Sequence, residues 1–116
     1  MWDVEYTDEF EAWWVLLDES VQDAVAAVVG LLERHGPRLP FPYSSRIRSS
    51  RHDMMRELRI QHRGDPYRVL YAFDPRRIAL LLIGGCKADD GRWYERMVPL
   101  ADRILTAHLE ELDAED

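Results

Sequence analysis

Cysteine is almost absent from this chain of 116 residues, which contains only Cys86. A single thiol excludes an internal disulfide framework and a zinc site built from several cysteines. Long apolar runs are absent as well, since a run such as Ile78–Ile83 is far too short to span a bilayer. Residues Met1–Glu5 lack the basic and apolar stretches of a secretory signal. We therefore expect a cytoplasmic protein, and the length predicts one domain over residues 1–116.

Positive charge is missing from the first third of the chain and concentrated in the middle. Residues 1–33 carry nine acids and no Lys or Arg, which gives a net charge of −9. Residues 34–77 carry eleven Arg and four acids (+7), and residues 78–116 carry four cations and nine acids (−5). Because the Arg guanidinium forks onto phosphate and stacks on bases, the central segment predicts an anion-binding face. The alternative is that these Arg residues pair with the acidic flanks.

The hydrophobic pattern predicts an α+β fold that begins with a strand and a helical hairpin. Residues 2–6 alternate as a short strand, and apolar positions three and four apart within residues 10–35 predict two antiparallel helices. Residues 36–53 are rich in Pro and Ser and predict a loop. A three-strand antiparallel meander follows, with predicted strands at 54–61, 67–73 and 78–83. A loop over residues 86–92 then leads to a C-terminal helix whose apolar stripe lies within residues 97–112.

The two faces of the meander are expected to differ. We expect the hairpin and the final helix to pack together on one face. The other face should present Arg59 and Arg68 on neighbouring strands. Like charges side by side are destabilising unless an anion lies between them. This juxtaposition therefore indicates a phosphate site.

Four short motifs carry a likeness to a known family. In chain order they are Met55–Arg59, Tyr67–Tyr71, Gly84–Lys87 and Trp93–Met97. The ordered set resembles the RelE/ParE superfamily of toxins, and most closely its phage-derived HigB-like branch. The resemblance covers nearly the whole chain. It implies a RelE-like α+β toxin that cleaves mRNA on the ribosome, needs no cofactor, and is bound by a HigA-like antitoxin with a helix-turn-helix.

The resemblance also implies the residues that surround the scissile phosphate. Arg59, Arg68, Lys87 and Tyr94 stand at the matching positions of its motifs. Attack of a 2′-hydroxyl on the adjacent phosphate needs a base, an acid and cations. The three cations fit the charge that develops on phosphate, and Tyr94 fits a stacking platform or a proton donor. Glu57 is a candidate base, or an ionic partner that orients Arg59.

Five further Arg residues of the basic segment are candidate RNA contacts: Arg46, Arg48, Arg51, Arg56 and Arg63. No metal site is expected, because the four His residues lack the spacing of zinc motifs. His52 and His62 titrate in a suitable range but belong to no motif. Cys86 is interpreted as an incidental thiol.

Two other classes of function stay open from the sequence. One is a toxin that inhibits a protein target, as in the ParE branch; the other is a degenerate toxin that serves as an antitoxin-binding or autoregulatory module. Arg59, Arg68, Lys87 and Tyr94 favour the nuclease, whereas the acidic balance favours the others. We expect the antitoxin to cover the basic face or to displace Tyr94, and to mediate any contact with operator DNA.

Overall fold

The computed structural model describes residues 1–115 of the chain. A short 3-10 turn, Gly36–Arg38, follows the second helix. The remaining elements are β1 (Val4–Tyr6), α1 (Asp8–Trp14), α2 (Glu19–His35), β2 (Ser44–Arg46), β3 (Arg56–His62), β4 (Asp65–Phe73), β5 (Ala79–Cys86) and α3 (Trp93–Glu115).

The five strands form one sheet in the order β1-β5-β4-β3-β2. The pairs β2–β3, β3–β4 and β4–β5 are antiparallel, and β1 pairs with β5 in parallel. The α+β class, the N-terminal strand, the helical hairpin, the β3–β5 meander and the C-terminal helix are therefore as predicted. No helix in residues 1–115 combines the length and apolar character that crossing a membrane requires.

Strand β2 is a feature that the sequence reading missed, because residues 36–53 were predicted to be a loop throughout. Its three residues, Ser-Ser-Arg, carry no apolar alternation that would indicate a strand. The strand exists through its backbone pairing with β3, where Ser44 registers with Leu58 and Ser45 with Glu57. It forms the outer edge of the sheet beside the candidate site.

The expectation that all helices cover one sheet face is wrong, because helices pack on both faces. Helices α1 and α2 pack against one core, which includes Leu58 and Val69. Helix α3 packs against the other, which includes Leu70 and Leu82. Because helices cover both faces, β5 is buried on both sides and needs apolar side chains on both, which explains its continuous apolar run. The candidate site lies on the α3 face.

Two glycines let a tryptophan approach each face of β5. Neighbouring side chains of a strand point to opposite faces. The Trp13 indole occupies the space where a Cβ of Gly84 would lie, and the Trp93 indole does the same at Gly85. The predicted strand end at residue 83 is therefore too early, and β5 continues through both glycines to Cys86. The packing of Trp93 fixes the start of α3 next to the sheet.

The turn between β4 and β5 is held by a buried carboxylate, Asp74. Asp74 accepts hydrogen bonds from the Arg76 backbone N–H (2.8 Å) and side-chain Nε (3.0 Å). His108 Nε2 lies 2.9 Å from Asp74 Oδ2 and thereby connects α3 to the turn. Burial raises the pKa of Asp74, but the hydrogen bonds from Arg76, His108 and the backbone outweigh it, so the pKa lies below its usual value.

Candidate active site

The pairing of β3 with β4 brings two predicted site residues face to face. Arg59 and Arg68 are direct register partners in this antiparallel pair. The Arg59 side chain is 29% exposed, whereas the Arg68 side chain is 6% exposed. The predicted adjacency of the two guanidinium groups is therefore confirmed, and Arg59 is the more accessible of the two.

Glu57 supplies the negative charge between these two cations. It lies two residues before Arg59 on the same face of β3 and is buried. Its Oε2 is 3.3 Å from an Arg59 terminal nitrogen, and its Oε1 is 3.4 Å from Arg68 Nε. The counter-charge therefore comes from β3 itself. The alternative interpretation, in which the Arg residues pair with the acidic flanks, does not hold for Arg59 and Arg68. Because the protein provides this anion, the adjacency of the two Arg residues does not by itself require a bound phosphate.

Tyr94 connects the first turn of α3 to the ion-paired residues Glu57, Arg59 and Arg68. We call these side chains and those hydrogen-bonded to them the network. Its hydroxyl donates to Glu57 Oε1 at 2.6 Å, and Arg68 Nε donates to the Tyr94 oxygen at 3.3 Å. Burial and the hydrogen bond to Glu57 raise the pKa of the Tyr94 phenol, and the hydrogen bond from Arg68 opposes this in part. The net effect is a raised pKa, so the phenol keeps its proton at neutral pH.

Ser45 is a member of the network that sequence reasoning missed. Its Oγ donates to Glu57 Oε2 at 2.5 Å. The contact follows from the β2–β3 register, in which Ser45 lies directly opposite Glu57. A Ser pair in a Pro-rich segment is typical of a loop, so no signal in the sequence indicated this role.

Lys87 completes the predicted set on the same side of the sheet. Its Nζ lies 5.1 Å from the centre of the Tyr94 ring, which is the distance of a cation–π contact. The Lys87 backbone N–H donates to Pro66 O at 2.9 Å, which holds the residue just beyond β5. The structure thus brings together all five predicted site residues: Glu57, Arg59, Arg68, Lys87 and Tyr94.

The five Arg residues predicted to contact RNA differ in their exposure to solvent, and one of them lies on the opposite face of the sheet. Arg56 is only partly exposed, and it follows the alternation of β3 to the sheet face opposite Glu57. There its Nε donates to Ser44 Oγ at 3.0 Å, so Arg56 is separated from the network. The side chains of the other four belong to exposed residues: Arg46, Arg48, Arg51 and Arg63.

The two His residues and the Cys residue discussed from the sequence lie outside the network. His52 Nε2 is 2.9 Å from Thr106 Oγ1, and His62 Nε2 is 3.3 Å from Ser20 Oγ. Cys86 is exposed. Within residues 1–115, no group of three or more His, Cys, Asp or Glu residues is arranged to hold a metal ion.

Two cavities differ in their relation to the network. One of about 340 Å³ is lined by Arg59 and Arg68 together with Pro42 and Tyr43 of the segment before β2. A mainly apolar cavity of about 590 Å³ lies between α1, α2 and β1 and shares no residue with the network. The smaller cavity borders the candidate site through Arg59 and Arg68. Ala24 and Val28 of α2 line its other side, and Glu57, Lys87 and Tyr94 do not line it.

Comparisons with known proteins identify the family of the chain. Residues 12–106 match the family "Phage derived protein Gp49-like (DUF891)". The chain is 37% identical over 110 residues to HigB2 of Mycobacterium tuberculosis, a protein named as a toxin; the match covers 91% of this chain and 54% of HigB2. It is 38% identical over 96 residues to HigB3 of the same organism, also named as a toxin, with 82% of each covered.

A solved structure of Escherichia coli toxin RelE, a mutant in the free state, shares the fold. The TM-score is 0.57, and the superposition covers 83% of this chain and 94% of RelE. At 13% identity this likeness concerns the fold alone. The chain spans about half the length of HigB2 and most of the length of HigB3. The family match covers well over half of the chain, and the chain therefore belongs to the phage-derived Gp49-like family and is related to the HigB toxins.

Proposed function

We propose that this chain is the toxin of a type II toxin-antitoxin system and acts in the cytoplasm as a ribosome-associated mRNA endoribonuclease that arrests translation. The observation that carries the proposal is the convergence of Arg59 and Arg68 with the protonated hydroxyl of Tyr94 on one sheet face. These are the group types that cleavage of an RNA phosphodiester needs. Membership of a family that includes HigB2 and HigB3 supports the same activity.

The proposed reaction is attack of a ribose 2′-oxygen on the adjacent phosphorus. The new bond to the 2′-oxygen forms as the bond to the 5′-oxygen breaks, and a cyclic phosphate and a free 5′-hydroxyl result. Arg59, Arg68 and Lys87 stabilise the negative charge that develops on the phosphate. These protein cations supply positive charge without a metal ion or other cofactor.

Tyr94 acts as the proton donor to the leaving 5′-oxygen in this proposal. Its raised pKa keeps the phenol protonated at neutral pH, as a general acid requires. Glu57 either takes the 2′-hydroxyl proton or only orients the cations, in which case a solvent water takes that proton. The orienting role has more support, because its two oxygens already face Arg59, Arg68, Ser45 and Tyr94.

The proposed partners are the mRNA on the ribosome and a HigA-like antitoxin with a helix-turn-helix. The acidic segments, at −9 and −5, weaken nonspecific binding of free RNA, so specificity requires the ribosome to present the message to the basic segment. The antitoxin silences the toxin by covering the basic face or by displacing Tyr94. Operator DNA is contacted only through the antitoxin.

One observation favours the alternative of a toxin without nuclease activity, or of a degenerate antitoxin-binding module. Glu57 already forms ion pairs with both Arg59 and Arg68, and Arg68 is nearly buried. A phosphate must then compete with a carboxylate for the same guanidinium groups. In that reading the network serves stability, and the toxic effect, if any, comes from binding a protein target as in the ParE branch.

Induced expression with mapping of mRNA 5′ ends tests the proposal. Wild-type chain is compared with Arg59→Ala and with Arg103→Ala, which removes an exposed cation of α3. We expect new 5′ ends inside translated messages for wild type and Arg103→Ala, and none for Arg59→Ala or when translation is blocked beforehand. Replication arrest without new 5′ ends would favour a protein target, and no effect at all would favour the degenerate module.

A further inference from the structure

Two exposed aromatic rings stand beside the candidate site without a role in the network. Phe41 is 69% exposed and Tyr43 is 43% exposed. Both belong to the segment between the 3-10 turn and β2. Two exposed aromatic rings next to a charged site offer a surface on which the flat, apolar part of a charged ligand can pack.

Backbone hydrogen bonds hold this segment in a fixed position. The backbone N–H groups of Tyr43 and Ser44 both donate to Pro40 O, at 3.0 and 3.1 Å. The Arg59 N–H donates to Tyr43 O at 2.9 Å and fastens the segment to β3. The rings are therefore presented on a preformed support, which reduces the entropy lost when a ligand binds.

Arg59 links the two rings to the candidate active site. Its guanidinium carbon lies 5.2 Å from the centre of the Phe41 ring, in a cation–π contact. Tyr43 lines the cavity of about 340 Å³ together with Arg59 and Arg68. A ligand that engages the exposed part of Arg59 is thus next to both rings.

The charge around the rings distinguishes between possible ligands. Phe41 and Tyr43 lie within the segment that carries a net charge of +7, and the exposed residues Arg46 and Arg48 follow them directly. Single-stranded RNA combines flat bases, which stack on aromatic rings, with phosphates, which bind Arg. A wholly apolar protein segment would use the rings but would offer no anion to the exposed guanidinium groups beside them.

We propose that Phe41 and Tyr43 form a base-stacking platform for a nucleotide of single-stranded RNA next to the phosphate bound by Arg59. This inference rests on the proposed nuclease function and adds how the substrate is gripped. Stacking is tolerant of base identity. The platform therefore fixes the position of the strand at the site more than it selects a sequence.

Binding to a short RNA that contains 2-aminopurine tests the platform without requiring cleavage. Stacking on a ring quenches the fluorescence of this base. We expect Phe41→Ala and Tyr43→Ala each to weaken binding about 10-fold and to remove the quenching, in line with about 1–3 kcal/mol per stacked base. Phe41→Trp, which keeps a stacking face, should restore both.

The matched control is Tyr6→Ala, which removes another exposed aromatic ring from β1, at the opposite edge of the sheet. It should bind and quench like wild type, and circular dichroism should report the same fold for all variants. Unchanged affinity and quenching in both Phe41→Ala and Tyr43→Ala would overturn the platform, even if the wild-type chain cleaves RNA. So would absence of RNA binding by wild type, or loss of antitoxin binding alone in these variants, which would assign the rings to a protein partner.

The proposed function and the platform fail in different ways. If wild type binds and quenches the probe through Phe41 and Tyr43 but yields no cleavage on ribosomes, the nuclease proposal fails and the platform is supported. If wild type cleaves, and both alanine variants cleave with unchanged KM and unchanged 5′-end positions, the platform fails and the nuclease proposal is supported.

Discussion

Tyr94 donates its hydroxyl to Glu57 Oε1 over 2.6 Å, although the two residues are 37 positions apart in the chain. The contact joins the first turn of α3 to strand β3. It places a neutral phenol beside two cations, with Arg68 donating to the same phenolic oxygen. The position of Tyr94 therefore depends on the docking of α3, which the Trp93 indole secures over Gly85.

We predict that Tyr94→Phe slows RNA cleavage about 100-fold, within the range of a lost general acid. The KM for RNA should stay close to that of wild type, because the ring and its contact with Lys87 are retained. The matched control is Tyr67→Phe, which removes a hydroxyl outside the network and should leave the rate unchanged. Single-turnover cleavage of RNA presented on ribosomes provides the measurement.

The pH dependence of cleavage gives a second test of the Tyr94 assignment. A general acid must carry its proton, so its contribution is lost as the pH rises through its pKa. Burial and the hydrogen bond to Glu57 raise the Tyr94 pKa above its usual value of 10.0. We therefore expect no loss of rate from this group between pH 7 and pH 9. A full rate in Tyr94→Phe at every pH would contradict the assignment.

We predict that Arg59→Ala lowers the cleavage rate about 10²- to 10³-fold, as expected when a cation on the transition-state phosphate is removed. The fold should be kept, because the Arg59 side chain is partly exposed. Arg68→Ala should lose as much rate and also lower the free energy of unfolding by about 2 kcal/mol, since buried Glu57 loses one ionic partner. Urea unfolding and cleavage at equal concentrations of folded protein separate the two effects.

Arg103→Ala serves as the control for loss of one exposed cation, and Arg68→Lys as the control that keeps the charge. Both should fold like wild type. Growth assays at equal expression give the outcome in cells. If Arg59→Ala and Arg68→Ala both arrest growth as fully as wild type, the assignment of a phosphate site to these residues is wrong.

The sequence predicted the meander and the site residues on it because strand alternation decides which side chains share a face. Glu57 and Arg59 are two positions apart on one strand, and Arg68 follows on the next strand after a tight turn. The contacts of Ser45 and Phe41 were beyond reach, since they depend on a three-residue edge strand and on the path of a Pro-rich segment. Such local pairing is set by backbone hydrogen bonds, which leave no hydrophobic pattern.

The position of α3 was wrongly predicted for a similar reason. The apolar stripe of an amphipathic helix predicts that one side of the helix is buried, but it does not indicate against which face of a sheet the helix packs. The information lay in β5, where the apolar run and the glycines both indicate burial on two faces. From the sequence, Gly84 and Gly85 indicate only a strand end. In the structure, each glycine leaves space for an indole ring.

We predict that Gly85→Ala lowers the free energy of unfolding by about 1–3 kcal/mol, because the added methyl group overlaps the Trp93 indole. The displaced indole should also move Tyr94 and reduce cleavage. Gly30→Ala is the matched control: no atom lies within 4 Å of the added Cβ, and the residue is inside α2. There Ala should stabilise the chain by up to about 1 kcal/mol through helix propensity. Equal stability of Gly85→Ala and wild type in urea would show that the indole does not need the glycine.

The last prediction concerns the acid sensitivity of the Asp74 turn. The folded-state pKa of Asp74 is lowered by its hydrogen bonds with Arg76 and His108, which outweigh the effect of burial. The unfolded value is about 3.9. A carboxyl with a depressed folded pKa contributes stability above the unfolded pKa, and this stability is lost as the pH falls through the folded pKa. We therefore expect Asp74→Asn to lower the free energy of unfolding by about 2–3 kcal/mol at pH 7.

The difference between Asp74→Asn and wild type should shrink steadily as the pH falls below about 4, because the carboxyl of the unfolded wild-type chain takes up its proton there and that of the folded chain does so only at lower pH. Urea unfolding from pH 3 to pH 7 measures this. The same series in a His108→Gln background replaces the imidazole with a side chain that carries no charge, and Asp23→Asn, an exposed position on α2, controls for loss of one acidic charge. Asp23→Asn should stay within about 0.5 kcal/mol of wild type. A difference between Asp74→Asn and wild type that is constant from pH 3 to pH 7 would mean that the Asp74 charge does not stabilise the turn.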